Sequence, residues 1–219
     1  MKKLKSFLFG LGDVGLNYDY VLKNNSFLTH AKSLNFHNKY KIVGAYDKNN
    51  KNNKKFEQKY KLKINRNYKA HILETKPDLI IVATPTNTHR NLIENILSFY
   101  KPKVIVCEKP LSYSLIDSEF IVKLCLKNRI KLYVNYIRIS DPSINILKNN
   151  IENKKFLTPV SGIVWYSRGF LNNASHNFNI LEYIIGKYVS HKLLIERPKR
   201  SNGDINNDYL VNFKNGKIY

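Results

Sequence analysis

The sequence predicts an α/β protein: a doubly wound parallel sheet over residues 1–138, then a smaller, incomplete α+β domain with an open sheet over residues 139–219. Three observations carry this. Short, near-continuously apolar runs rich in β-branched residues alternate with amphipathic stretches, as in repeated βα units whose strands are covered on both faces. A glycine-rich turn, Gly10-Leu11-Gly12-Asp13-Val14-Gly15, follows the first run directly. After residue 138 the alternation gives way to a helix pattern followed by strand candidates and hairpin signals.

The elements follow in order. Residues 5–9, 42–46, 79–83, 104–107 and 132–134 are compact apolar runs and read as the parallel strands. Phe27, Ala31 and Leu34 repeat at helical spacing, as do Ile93, Ile96, Leu97 and Tyr100. Ile116, Phe120 and Leu124 do so again, with Ser114 and Asp117 placed for an N-terminal cap. The Lys/Asn run over 48–55 reads as a solvated surface loop. Asp141-Pro142 opens a helix expected to run to about Asn150. Beyond it, 160–166 reads as a strand, 174–186 as a helix ending at Gly186, and 193–196 and 209–213 as strands. Asn215-Gly216 is a strong hairpin signal, but only Lys217, Ile218 and Tyr219 follow it. A two-stranded ribbon with so short a second strand is poorly supported, so the expectation is a sheet cut short.

Composition narrows the function classes. No apolar run approaches the ~20 residues that cross a bilayer, and the apolar start after Met1-Lys2-Lys3-Leu4 is broken by Gly10, Gly12 and Asp13 before it could act as a signal segment. The expectation is a cytoplasmic protein with no membrane partner. Cys107 and Cys125 give neither a disulfide framework nor metal-ligand spacing, so no metal is expected. Lys and Arg number 37 against 16 acids, a net +21. Nucleic-acid binding would call for clustered Arg and stacking aromatics. Here seven residues are Arg, the lysines scatter along the chain, and the accompanying excess of Asn, Ile, Tyr and Phe follows AT-rich codons. Compositional drift therefore explains the charge, and no nucleic-acid partner is expected.

The chemistry sits at strand ends. Gly10, Gly12 and Gly15, with Asp13 and Val14 between them, fit the Rossmann dinucleotide fingerprint: a tight turn, close backbone approach to a pyrophosphate, and close helix packing. An ordinary glycine turn is the bland alternative. Asp47 ends the second strand, where a carboxylate can accept from the adenosine ribose and repel a 2′-phosphate, favouring NAD over NADP although Lys48 adjoins it. A plain turn residue is its alternative. The usual gap of about 20 residues between glycines and acid is exceeded, so residues 17–27 read as an insertion. Thr84, Pro85 and His89 leave the third strand, and Glu108-Lys109-Pro110 leaves the fourth, on the side where ligands of such sheets bind. A lysine there, partly buried beside a positive nicotinamide ring, would have a lowered pKa useful for proton transfer; taken alone, Lys109 could equally be a surface lysine.

The glycines, Asp47, Ala83-Thr84-Pro85 with His89, Glu108-Lys109-Pro110-Leu111-Ser112, Tyr136-x-Arg138 and Gly169 with Ser175-His176 occur in an order that resembles the glucose–fructose oxidoreductase, inositol dehydrogenase and MocA (Gfo/Idh/MocA) family. The tract from Tyr18-Asp19-Tyr20 to Thr29-His30-Ala31-Lys32 resembles a subgroup with a longer first loop. The resemblance implies an oxidoreductase with NAD as cofactor, a C-terminal substrate domain and a polyhydroxylated substrate: a sugar, an inositol or a nucleotide sugar. It implies catalytic roles for Lys109 and His176, cofactor contacts from the strand-end residues including Glu108 and Lys109, and substrate contacts from Lys109, Arg138, Asn172, His176 and Asn179. It also implies a homo-oligomer through the C-terminal sheet if that sheet is complete. Two departures stand out. Acidic residues commonly lie four before and three after the histidine, where this chain has Asn172 and Asn179, and family members usually run well over 300 residues. Both departures keep open a catalytically impaired or truncated dinucleotide-binding remnant as the alternative. His176 could also be only a helix-start residue.

Overall fold

The computed structural model describes residues 3–22, 26–156, 158–200 and 203–219. The chain's first two residues and residues 23–25 of the expected insertion lie outside the described residues. The chain divides into two compact units, Met1–Asn135 and Tyr136–Tyr219.

The first unit is built on five parallel strands, β1 (Leu4–Phe9), β2 (Tyr40–Tyr46), β3 (Leu79–Val82), β4 (Val104–Cys107) and β5 (Lys131–Val134), in the order β2-β1-β3-β4-β5. Alternation along β1 divides the core. Phe7 and Phe9 face a cluster with Ile72, Ile80, Val82, Ile93, Ile96, Ile105 and Ile121. Leu8 faces the opposite cluster, with Leu11, Leu16, Ala31, Leu34, Ala45, Phe56 and Ile81. The helices supplying these residues are α1 (His30–Phe36), α2 (Asn50–Tyr60), α3 (Tyr68–Thr75), α4 (His89–Phe99) and α5 (Leu115–Lys127). Burying one such Ile or Leu contributes roughly 1.5–3 kcal/mol, which is why the near-continuous apolar runs become central strands. The strand order reverses between β1 and β3, so their carboxyl ends open a crevice there.

One expectation is corrected in this unit. The Lys/Asn run is not a loop, because most of it lies in α2. Asn49 caps that helix by accepting from Lys51 N–H at 3.0 Å, and Asn53 and Phe56 turn inward, so polar residues on one face coexist with a buried anchor. The insertion is organised by Asp19. Its fully buried carboxylate accepts from Leu28 N–H (2.8 Å), Thr29 N–H (3.1 Å) and the Thr29 hydroxyl (2.6 Å). Thr29 then caps α1 by accepting from Lys32 N–H.

In the second unit, α6 (Pro142–Glu152) and α7 (Ser175–Ile185) accompany a sheet of β6 (Val160–Gly162), β7 (Tyr188–Ile195), β8 (Asp208–Phe213) and β9 (Gly216–Ile218), ordered β6-β9-β8-β7. Its core is small: Ile151, Ile185, Phe213 and Ile218. The Asn215-Gly216 hairpin forms, with Phe213 opposite Gly216. The short strand is supported because β9 is not the edge of a ribbon: it pairs with β8 on one side and β6 on the other. β6 is shorter than expected and β7 longer, and all eight β7 residues are exposed, which leaves that strand as an open edge. Among the described residues no helix is long and apolar enough to cross a membrane.

Burial works against the Asp19 charge, but the hydrogen bonds from Thr29 and Leu28 and the nearby Lys32 hold its pKa below the ordinary 3.8. A depressed carboxylate stabilises the fold above the unfolded-state pKa, and that contribution is lost as pH falls through the folded value. Asp19→Ala is expected to cost ~2–3 kcal/mol at neutral pH, from buried donors left without an acceptor. Urea denaturation should show the gap between wild type and variant narrowing as pH is lowered below 3.8.

Candidate active site

The crevice between β1 and β3 is lined by the glycine turn. Gly10 has a positive φ of 86°, and a Cβ there would collide with the Ala83 carbonyl and lie 2.7 Å from Thr84 N. A Cβ on Gly15 would collide with the Gly10 carbonyl, so the turn folds back on itself only with glycine at both positions. Gly12 differs: a Cβ there meets nothing within 4 Å. It borders open space, while Asp13 and Val14 are exposed at the start of a single π-helical turn, Asp13–Asn17.

Asp47 reaches this turn from β2. Its Oδ2 accepts from Leu11 N–H at 2.6 Å and its Oδ1 from Asn49 N–H at 2.7 Å. Asn53 brackets the same residue, accepting from Asp47 N–H and donating its amide to the Asp47 carbonyl, both at 2.9 Å. The carboxylate is thus fixed beside the glycine turn, with acceptor capacity beyond these bonds. Thr84 and Pro85 stand at the end of β3, where the Thr84 hydroxyl accepts from Thr88 at 2.8 Å.

His89 does not face the crevice. It is fully buried, with Nε2 2.9 Å from the Thr84 carbonyl and Nδ1 3.1 Å from the Leu111 carbonyl. Packed between these two backbone carbonyls, only one of which a neutral imidazole can donate to, the ring joins the loops after β3 and β4 and presents no nitrogen to the crevice, which corrects its expected cofactor contact.

Glu108 ends β4, where its N–H donates to the Val82 carbonyl. Its Oε1 accepts from Asn135 Nδ2 and lies against His30 Nε2, each at 2.7 Å. Burial opposes the charge, but the hydrogen bonds of His30 and Asn135 prevail and hold the carboxyl below the usual range. An ionised carboxylate only accepts, so His30 Nε2 carries the hydrogen. Lys109 follows, half-buried, directly after the Glu108 N–H bond to β3.

In the second unit His176 lies in the first turn of α7, with the Tyr136 ring edge-on at 5.8 Å. Burial pushes the Tyr136 phenol up against the opposing pull of Ser175, so it remains a neutral hydroxyl. Asn179 is one turn on, its Oδ1 buried without a hydrogen-bond partner among the described residues, at a cavity of about 170 Å³ shared with Tyr136, Ser175 and Glu182. Asn172 is tied to the helix entry: its N–H donates to Asp204 Oδ2 at 2.9 Å and its amide to the Arg168 carbonyl at 3.4 Å. Arg138 is exposed on a short 3₁₀ turn. Tyr183, on the polar face of α7, donates to Asn145 Oδ1 on α6 at 2.7 Å and so braces the helix pair.

Sequence reasoning gave no roles to His30, Asn135 and Asp204. Asp204, itself buried, accepts from Leu171 and Asn172 N–H just before α7. Each meets its partner only through the topology, although the Thr29-His30 tract was a visible signal for the first.

Residues 24–136, just over half the chain, match the oxidoreductase family with an NAD-binding Rossmann fold, Gfo/Idh/MocA. The chain belongs to this family. It is 28% identical over 185 residues to a myo-inositol 2-dehydrogenase of Thermotoga maritima, covering 74% of this chain and 55% of that protein. An oxidoreductase of Bacillus subtilis, YrbE, is 24% identical over 175 residues, covering 71% and 51%. The chain therefore spans about half the length of the curated relatives it matches. The WlbA dehydrogenase of Bordetella pertussis, solved with NADH and UDP-GlcNAcA, shares the fold at TM-score 0.76 and 17% identity, covering 99% of this chain and 66% of that one. An oxidoreductase of Agrobacterium radiobacter, solved with NAD+, L-tartaric acid and magnesium, does so at TM-score 0.74 and 18%, covering 99% and 66%. The glycine turn lies outside the family match, and its open space at Gly12 beside a fixed Asp47 fits the dinucleotide that the family name implies.

The two glycines separate folding from binding. Gly12→Val should keep Tm within about 3 °C of the parent, a shift of about 1 kcal/mol, yet abolish NAD binding in calorimetry. Gly15→Val should instead cost ~1–3 kcal/mol in thermal denaturation, because its side chain has no space.

Proposed function

We propose that this protein is an NAD-dependent oxidoreductase that moves a hydride between the nicotinamide and a hydroxyl-bearing carbon of a sugar, inositol or nucleotide sugar. The observation that carries the reading is Lys109, presented at the carboxyl end of β4 by the hydrogen-bonded Glu108. The inositol dehydrogenase relative and the fold neighbour bound to a nucleotide sugar support the substrate class.

The cofactor would be held by the backbone around Gly10, Gly12, Asp13, Val14 and Gly15, by the Asp47 carboxylate, and by Thr84 and Pro85. When bound, NAD supplies the hydride acceptor. The protein's own part is orientation and proton transfer. In the oxidising direction Lys109 Nζ, as the free amine, takes the hydroxyl proton, and His176 shares that work from the second unit's framework. Asn172 and Asn179 orient hydroxyls through their amides but cannot accept a proton at neutral pH. With both flanking carboxylates absent, the acid–base chemistry rests on Lys109 and His176. Arg138, exposed and cationic, is available to an anionic part of the substrate.

NAD reduction followed across sugars, inositols and nucleotide sugars tests the reading. Lys109→Ala should lower turnover about 10²–10⁴-fold while leaving NAD affinity nearly unchanged, since proton transfer belongs to the chemical step. Turnover insensitive to Lys109→Ala would refute the assignment. Intact NAD binding with no turnover on any substrate would favour a dinucleotide-binding remnant.

Asp47 sets the cofactor preference. NAD(H) should bind about tenfold or more tighter than NADP(H), a difference of ~1.4 kcal/mol or more. Asp47→Ser should narrow that ratio, and equal affinities in the wild type would remove the role given to its carboxylate.

A further inference from the structure

The Glu108 carboxylate gathers two side-chain donors from two places in the first unit. His30 Nε2 comes from the first residue of α1, 78 positions earlier, at 2.7 Å. Asn135 Nδ2 comes from the segment after β5, 27 positions later, also at 2.7 Å. The Glu108 backbone, which leads directly into Lys109, is tied to β3 by its N–H bond to the Val82 carbonyl at 2.8 Å. The His30 and Glu108 side chains are only 14% and 12% exposed, so water competes weakly for these bonds. His30 is in turn held from the other side. Thr29, its neighbour, caps α1 and is bound to the buried Asp19 through both its N–H and its hydroxyl. A continuous set of contacts therefore runs from Asp19 through Thr29 and His30 to Glu108, the residue before Lys109.

We infer that His30 is a positioning residue, which through Glu108 fixes the backbone from which Lys109 projects. The inference rests on the reading of Lys109 as the proton-transfer group. It assigns the inserted loop a task in that site: Asp19 sets the start of α1, and the start of α1 sets the imidazole against the carboxylate. Asn135 holds the same oxygen from the carboxyl end of the neighbouring parallel strand β5, so loss of either donor leaves Glu108 a single side-chain anchor. Misplacement of a catalytic group by about 1 Å can cost ~10²-fold in rate, so a bond remote from the reacting atoms is able to govern turnover.

His30→Leu keeps the bulk and removes the donor, whereas His30→Gln keeps an N–H at similar reach. Thermal melting confirms folding of each variant. Amide hydrogen exchange, resolved at Glu108, needs no substrate. It should quicken by about tenfold in H30L and by less than about threefold in H30Q, as the Glu108 N–H bond to the Val82 carbonyl loosens. In turnover assays H30L should lose about 10- to 100-fold in kcat with NAD affinity within about twofold, and H30Q should recover most of the loss. Should H30L fail to fold, Asn135→Leu removes the second donor of the same oxygen and should give the same exchange and kcat pattern. Glu108 amide exchange unchanged in the folded variant overturns the inference. So does an equal loss of kcat in H30L and H30Q. A wild type that turns over no substrate refutes the oxidoreductase reading, while Glu108 amide exchange still decides whether His30 holds this backbone.

Discussion

The crowding of Gly10 against the end of β3 is the constraint on which the first unit depends. Its backbone turns at positive φ into space that the Ala83 carbonyl and Thr84 N leave to no side chain, and its own carbonyl leaves none at Gly15. Because the turn is this tight, Leu11 N–H is left pointing at β2, where Asp47 Oδ2 receives it at 2.6 Å. The same tightness sets Leu11 and Leu16 into the apolar layer with Ala31 and Phe56, so α1 and α2 take their positions from it. A loosened turn would move the acid, the helices and the crevice together, since they share one packed layer.

Much of this was legible in the sequence because the signals are local. Apolar runs fixed on both faces read as strands, and glycines at a strand end read as a close backbone approach, from residue type alone. What failed depended on partners distant in sequence. The Lys/Asn run carries no apolar stripe beyond Phe56, so its helix is visible only once Asn53 is seen bracketing Asp47 and Asn49 capping the first turn. The three-residue strand β9 looked too short because its second neighbour, β6, is more than fifty residues earlier, and parallel pairing leaves no turn signal.

The site divides the same way. Lys109 and the glycines could be named from motif and position. His89 has the right location in sequence but the wrong orientation, because its ring packs inward between the Thr84 and Leu111 carbonyls. His30 shows the reverse case. Nothing in the residues around it names a carboxylate partner, and the pairing arises because the inserted loop returns the chain to the start of α1 beside the end of β4.

Charge scarcity ties these observations together. The chain has 16 acids against 37 basic residues, yet buried or anchoring positions keep theirs. Asp19 holds the inserted loop, Asp47 the glycine turn, Asp78 the Lys5 N–H of β1, and Asp204 the entry to α7. Each accepts at least one backbone N–H that would otherwise lack that acceptor, and such a loss at a buried donor costs ~1–3 kcal/mol. The basic excess is carried elsewhere: among the described residues no lysine is buried, so its charge meets water. Asparagine is not filtered in this way, because Asn53 is buried beside Asp47 and exchanges two backbone hydrogen bonds with it. An amide both donates and accepts without a charge to desolvate, whereas a lysine has only donors and a charge. A framework anchored by few acids under a lysine-rich surface therefore follows from one composition acting on positions of different burial.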